Sequence, residues 1–179
     1  MIIEAVRSLQ EAINRIGLGG TMLALPAPKT FVLPDYSETE NDTHEKFLLV
    51  ITYDALVSVC RDLFVSGFYQ QAVEHAFKVL DGKVQATTSL EASGTSLMQK
   101  VFSPNNPIIL LNPNKTRSER DQQDGYMRLF SGSMLGIRNP CTHEIDWFSE
   151  PEEAFEVIHL CQHLCRKIDE AYFIDSSKV

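Results

Sequence analysis

Apolar residues recur at steps of three and four along most of this chain, and that period predicts helices. Ile2, Val6, Leu9, Ile13 and Ile16 mark a first helix over 2–16, closed by Gly17, Gly19 and Gly20. Thr21–Asp35 is proline-rich and reads as an extended connector across a surface, and Ser37–Thr43 as a polar, acidic linker. A strongly apolar segment from Phe47 to Val65 predicts a helix over 45–65, opened by Asp42 and Glu45 at capping-box spacing. Thr52, Asp54, Ser58, Arg61 and Asp62 interrupt its apolar run, so it is a core helix and not a membrane span.

After Ser66-Gly67, the residues Phe68, Ala72, Val73, Ala76, Phe77, Leu80 and Val84 share one face of a helix over 68–83. Its two alanines leave room for a neighbouring helix to approach closely. The stretch 82–94 fits a helix end, a polar stretch or a loop equally well. Thr95–Phe102 is a short helix, and Ile108–Leu111, boxed in by Pro107 and Asn112-Pro113, is a short strand or buried extended segment. Ser118-x-x-Asp121 opens a helix that runs to Ile137 or Arg138, where Pro140 stops it. The last helix starts at Ser149-Glu150-Pro151, with acids in its first turn, and continues to about Phe173. The expected fold is mainly all-α: an N-terminal helical and extended arm over 1–40, then a helical domain over 45–175.

Composition narrows the setting. Hydrophobic content of 44% with 22% charged residues is that of a globular protein with a real core. A net charge of −8 argues against a broad basic surface for nucleic acid, though not against a small cationic cleft. The four cysteines follow no secretory signal, because Glu4, Arg7 and Glu11 interrupt the first apolar pattern. Reduced thiols in a cytoplasmic protein, away from any membrane, are the expectation.

The candidate chemistry lies in Gly132–His143. Arg138 is followed by Asn139, Pro140 and, after four intervening residues, His143. With a helix ending at Arg138, the arginine leaves the helix end and the histidine returns from the following turn, which aims both at one small anion. A guanidinium offers a fixed fork of donors to phosphate oxygens, and an imidazole moves protons near neutral pH. Arg138 and His143 are therefore the candidate catalytic pair, with Asn139 beside them as a hydrogen-bonding orienter. Asp124, Arg128, Ser131, Leu135 and Arg138 form a stripe at four-and-three spacing, which puts Arg128 on a similar side of the helix to Arg138 and makes it a second candidate anion contact. Gly125, Gly132 and Gly136 each cost a helix interior about 1 kcal/mol relative to alanine, so a close helix contact is expected on their side, within the fold or between two copies. Glu74 and His75 read as ordinary helix charges, with an orienting role for Glu74 toward the arginine as the lesser alternative. His159, Cys161, His163 and Cys165 do not make a zinc site, since residues two apart on a helix face nearly opposite ways. No metal and no cofactor are expected.

Arg138-Asn139-Pro140-Cys141-Thr142-His143 resembles the R-x4–6-H signature of the HEPN superfamily. More closely, Gly67-x-Tyr69-x-x-Ala72-x-x-x-Ala76-x-x-x-Leu80, then Gly125, Phe130-x-Gly132 and Ile137-Arg138-Asn139-Pro140-x-x-His143, is similar to the Ymh family of that superfamily, over roughly 45–175. The resemblance implies a helical, usually homodimeric domain that cleaves RNA without a metal, often as a toxin or phage-defence effector with a cognate antitoxin or defence partner. The corresponding expectation is an endoribonuclease with its two motifs facing across a two-fold axis. The alternative is a non-catalytic helical dimerisation and binding module on the same fold.

Overall fold

The computed structural model describes residues 40–144 and 147–173. The expected helix at 2–16 and the arm to residue 40 lie essentially outside the described residues. Everything described belongs to one compact unit, Ser37–Val179. Its helices are α1 (Glu40–Val50), α2 (Asp54–Val65), α3 (Tyr69–Thr88), α4 (Gly94–Val101), α5 (Arg117–Ser133), α6 (Asn139–His143) and α7 (Pro151–Asp169). Between α5 and α6, Met134–Arg138 is one turn of π-helix, so 117–143 is a single rod. Two short strands, β1 (Ile109–Leu110) and β2 (Tyr172–Phe173), pair antiparallel with Ile109 opposite Phe173. The described fold is all-α in character, as the apolar period predicts.

The central element is α3, packed against α2 and α7 along its length and against α4, α6 and the π turn near the motif. Its buried face is Ala72, Val73, Ala76, Phe77, Leu80, Asp81 and Val84. Phe68 is exposed instead, because it precedes the helix as its N-cap. The alanines do what their size suggests: the Cys60 thiol of α2 donates to Ala72 O at 3.3 Å, and Cys161 of α7 donates to Ala76 O at 3.2 Å. On the other side, Phe102 stacks on Phe130 with centroids 4.1 Å apart, tying α4 to α5. Burying an aromatic or large aliphatic side chain of this kind stabilises by about 1.5–3 kcal/mol.

The predicted helix over 45–65 is in fact two, α1 and α2, broken at Ile51–Tyr53. The break is held open by Gln162 of α7, which is 1% exposed. Its Oε1 accepts from Thr52 N at 2.7 Å and Tyr53 N at 3.0 Å, and its Nε2 donates to Val50 O at 2.9 Å. One carboxamide thus satisfies three backbone groups freed by the break. Gln123, fully buried, does the same for the next irregular region: it donates to Phe102 O (3.0 Å) and Ile109 O (3.1 Å) and accepts from Leu111 N (3.0 Å).

Other boundaries shift for local reasons. The stretch left open at 82–94 is mostly helix: α3 runs past Gly82 to Thr88 and ends on Ser89 in the left-handed region at φ 55°. The rod's N-terminus is capped by Thr116 and Glu119, not Ser118 and Asp121. Glu119 accepts from Thr116 N and Lys115 N, both at 2.7 Å, and those bonds hold its carboxyl below the usual range. The last helix ends at Asp169, and the chain beyond pairs with β1.

Replacing Gln162 with methionine keeps the shape and removes three hydrogen bonds. Gln162→Met should lower the unfolding free energy by about 2–4 kcal/mol, since unsatisfied buried backbone groups cost about 1–3 kcal/mol each. Urea denaturation of the full chain checks this, and unchanged stability would refute the bridging role.

Candidate functional site

Pro140 does not stop the helix. Inside an α-helix it would lack the N–H for the carbonyl four residues back and would press its ring against that carbonyl, here Gly136 O. The chain meets this by widening one turn: Asn139 N donates to Met134 O, five residues back, and α-helical bonding resumes to His143. Single π turns of this kind are frequent at functional sites. The expected geometry, with Arg138 at a helix end and His143 on a following turn, is therefore corrected. Both residues sit on the rod, five positions apart. Five residues of α-helix turn the chain by about 500°, so the two side chains leave the axis about 140° apart.

Their surroundings differ accordingly. Arg138 is half-buried and turned toward α4: a Cβ on Gly94 would lie 4.0 Å from its Nη1. Its Nε is sealed from solvent with no hydrogen-bond partner, and no carboxylate among the described residues pairs with it. Gly94 is buried at φ 64°, a conformation other residues rarely adopt, and its N–H donates to Asp81 Oδ1 at 2.8 Å. His143 is exposed in the last turn of α6. Asn139 is half-buried, with its N–H used in the π turn.

Gln70, which the sequence reading passed over, secures the end of the rod. Its Nε2 donates to Cys141 O at 3.0 Å and Glu144 O at 2.7 Å, and its Oε1 accepts from Trp147 N. Thr142 adds a hydroxyl bond to Arg138 O at 3.0 Å. The position of His143 thus depends on a side chain from the first turn of α3. Its signal in the sequence is only a glutamine inside the Gly67-to-Leu80 pattern.

Arg128 stands apart from this cluster: it is exposed and pairs with Asp124 at 3.0 Å, one turn away. Glu74 pairs with Lys78 at 2.9 Å rather than with Arg138, so the plain helix-charge reading holds. His75 lines a shallow groove with Val59, Lys78 and Val79. On α7, Cys161 and Cys165 are buried while His159 and His163 are exposed, as helical geometry requires. No group of three or more His, Cys, Asp or Glu among the described residues is placed to hold a metal ion. No described helix is long and apolar enough to cross a membrane.

The three glycines of the rod meet no packed neighbour; a Cβ on Gly125, Gly132 or Gly136 would enter open space. The expected internal seam is absent within the described protomer. His143, like Gly132 and Gly136, is exposed. Leu129 and Leu135, on and beside this face, are 48% and 61% exposed.

Burial pushes the Cys60 thiol up to about 12, helped by nearby Cys165, and the Cys141 thiol up to about 11, helped by Glu74. Since the thiolate is the reactive form, Cys60 and Cys141 should resist iodoacetamide at pH 8 in the folded protein and react promptly in 6 M guanidinium. Mass spectrometry of the alkylated peptides decides this, and rapid native labelling of either would contradict the burial. Gln70→Ala should strip hydrogen-exchange protection from the Trp147 amide and the end of α6 while leaving α3 protected.

A family model described as "Protein of unknown function (Hypoth_ymh)" matches residues 53–168, from just before α2 through nearly all of α7. No curated protein and no solved structure matches the chain.

Proposed function

The chain belongs to the Hypoth_ymh family, and from the site it carries we propose a metal-independent endoribonuclease of the HEPN superfamily, working as a homodimer. The observation that carries this reading is Arg138: a half-buried guanidinium with a sealed, unpartnered Nε and no ion-paired carboxylate among the described residues. Holding an unpaired cation partly out of water is unfavourable unless an anion completes it. A phosphodiester supplies that anion, and RNA also supplies its own nucleophile.

In the reaction, the ribose 2′-oxygen attacks the adjacent phosphorus and the bond from phosphorus to the 5′-oxygen breaks. His143 takes the 2′-hydroxyl proton or delivers one to the departing 5′-oxygen, and the histidine of a second copy performs the other transfer. Arg138 neutralises the charge growing on the phosphoryl oxygens, and Asn139 orients the group. The products are a 2′,3′-cyclic phosphate and a 5′-hydroxyl. His143 is exposed, and a second copy packed over this end of the rod would bring two histidines together. A local charge of about +2 at such a contact holds one phosphate despite an acidic whole. A toxin or phage-defence role with a cognate partner in the cytoplasm fits this chemistry.

One observation favours the second reading, a non-catalytic dimerisation and binding module. Arg138 and His143 diverge by about 140° on the rod, and the exposed Leu129 and Leu135 suit a protein partner as well as a second copy. Mutation separates the two. His143→Ala should lower cleavage of single-stranded RNA by about 10²–10⁴-fold, and Arg138→Ala by about 10²–10³-fold or more, with the fold intact. Chelator should leave activity unchanged, and DNA or 2′-methoxy RNA should not be cut. A purified dimer that cleaves no RNA, and binds its partner equally well in both variants, would establish the binding module instead.

A further inference from the structure

The first turn of α3 carries a side chain whose bonds serve placement more than stability. Gln70 engages three backbone groups with one carboxamide: Nε2 donates to Cys141 O at 3.0 Å and to Glu144 O at 2.7 Å, and Oε1 accepts from Trp147 N. Both of its N–H groups are thereby used. The bonds to Glu144 and Trp147 lie in the open, where water could serve the same groups, so they add little to the stability of the fold. What water cannot do is fix where those groups lie.

The groups so fixed are those that direct His143. It is the last residue of the five-residue helix α6, the kind of position that frays. The chain leaves the helix at the next residue, Glu144, with φ −109° and ψ 153°. One nitrogen of Gln70 holds a carbonyl on each side of the histidine. That fixes the backbone around His143, and with it the line along which the side chain leaves the rod. The bonds from Glu144 N to Pro140 O at 2.9 Å and from Thr142 Oγ1 to Arg138 O at 3.0 Å are internal to the rod's end. Gln70 instead ties that end to the central helix, on a firm base. Ala72 and Val73 beside it are fully buried, and the Tyr69 ring meets Phe64 edge-on with centroids 5.2 Å apart.

We infer that Gln70 is a positioning residue for His143, its amide nitrogen holding the two flanking carbonyls so that the imidazole is presented to the RNA backbone in one direction. This rests on the reading of His143 as the proton-transfer residue, and adds what aims it. Gln70 acts through the histidine and not on the substrate.

The test uses the full chain and separates the two halves of the carboxamide. At pH 8, Gln70→Glu can still accept from Trp147 N but cannot donate to either carbonyl, whereas Gln70→Lys can donate to both and cannot accept. With single-stranded RNA as substrate, Gln70→Glu should lower kcat about 10- to 100-fold, the cost of a misplaced group. KM should stay within about twofold, because only transition-state alignment is lost. Gln70→Lys should recover most of kcat, which a residue needed only for its bond to Trp147 would not do. In a His143→Ala background, Gln70→Glu should add no further loss, since the two residues act as a unit. A second readout needs no activity: the His143 ring resonance should move toward its position in an unstructured peptide in Gln70→Glu, and far less in Gln70→Lys. Those of His159 and His163 on α7 should stay in place. Parental kcat in Gln70→Glu, an equal loss in Gln70→Lys, a full additional loss in the His143→Ala background, or an unmoved His143 ring would each overturn the inference. Displacement of all the histidine resonances together would overturn it in favour of a purely structural glutamine. A parent protein that cuts no RNA, with the ring response intact, would refute the ribonuclease reading and leave Gln70 as the residue that places His143.

Discussion

One missing N–H governs the motif. Pro140 lies inside a helix whose inner side is buried against α3 and α4, so the rod can neither end there nor continue as plain α-helix. The π turn at Met134–Arg138 resolves the conflict by inserting one residue into the turn before the proline. An inserted residue rotates everything after it by about 100° relative to an uninterrupted helix. That rotation accompanies the burial of Cys141, the capture of its carbonyl by Gln70, and the exposure of His143. Arg138, the last residue of the widened turn, is directed inward to the start of α4. The divergence of the two candidate residues follows from the α-helical spacing that resumes after this turn.

Where regular structure fails elsewhere, neutral carboxamides take over. Gln162 bridges the break between α1 and α2, Gln123 holds β1 and the end of α4 to the rod, and Gln70 closes the C-terminus of α6. A glutamine both donates and accepts, so one side chain can serve a freed N–H and a freed C=O together. A carboxylate could only accept, and it would carry a charge whose burial costs more than the bonds return. These three bridges let a helical core of α2, α3 and α7 support irregular segments without orphaned backbone. Gln70 joins the central helix to the end of the motif.

What the sequence revealed follows the same division. Periodicity located α3, α4, α7 and the rod, and the flanking prolines located β1, because in each case local pattern and packing agree. The helix pairings at Ala72 and Ala76 and the opposed cysteines and histidines of α7 were equally readable, being consequences of helical spacing alone. The break at Ile51–Tyr53 was hidden, since an apolar run reads the same in a buried bend as in a buried helix, and its cause, Gln162, lies about 110 residues away. Pro140 misled for the opposite reason: it is a strong local stop signal, overridden by packing on both sides of the rod. The neighbour of Arg138 could not be found from pattern, because Gly94 comes from another helix and is itself held by Asp81 of a third.

The isolation of Arg138 is a matter of placement and not of scarcity. The chain carries 24 acidic residues against 16 lysines and arginines, so partners are plentiful. Arg61, Lys78, Lys83, Arg117, Arg128 and Lys167 all have one. The exposed pairs among them, Arg61–Asp62, Arg117–Asp121 and Arg128–Asp124, are worth little individually. Among the described residues, Arg138 combines partial burial, an orphaned Nε and a position close to the start of α4. Asp81 is close enough to hold the turn but spends its oxygen on the Gly94 N–H instead of the guanidinium. A carboxylate placed directly on Arg138 would stabilise the empty protein and compete with any phosphate. Engaging that acid with backbone leaves the arginine without a paired carboxylate among the described residues.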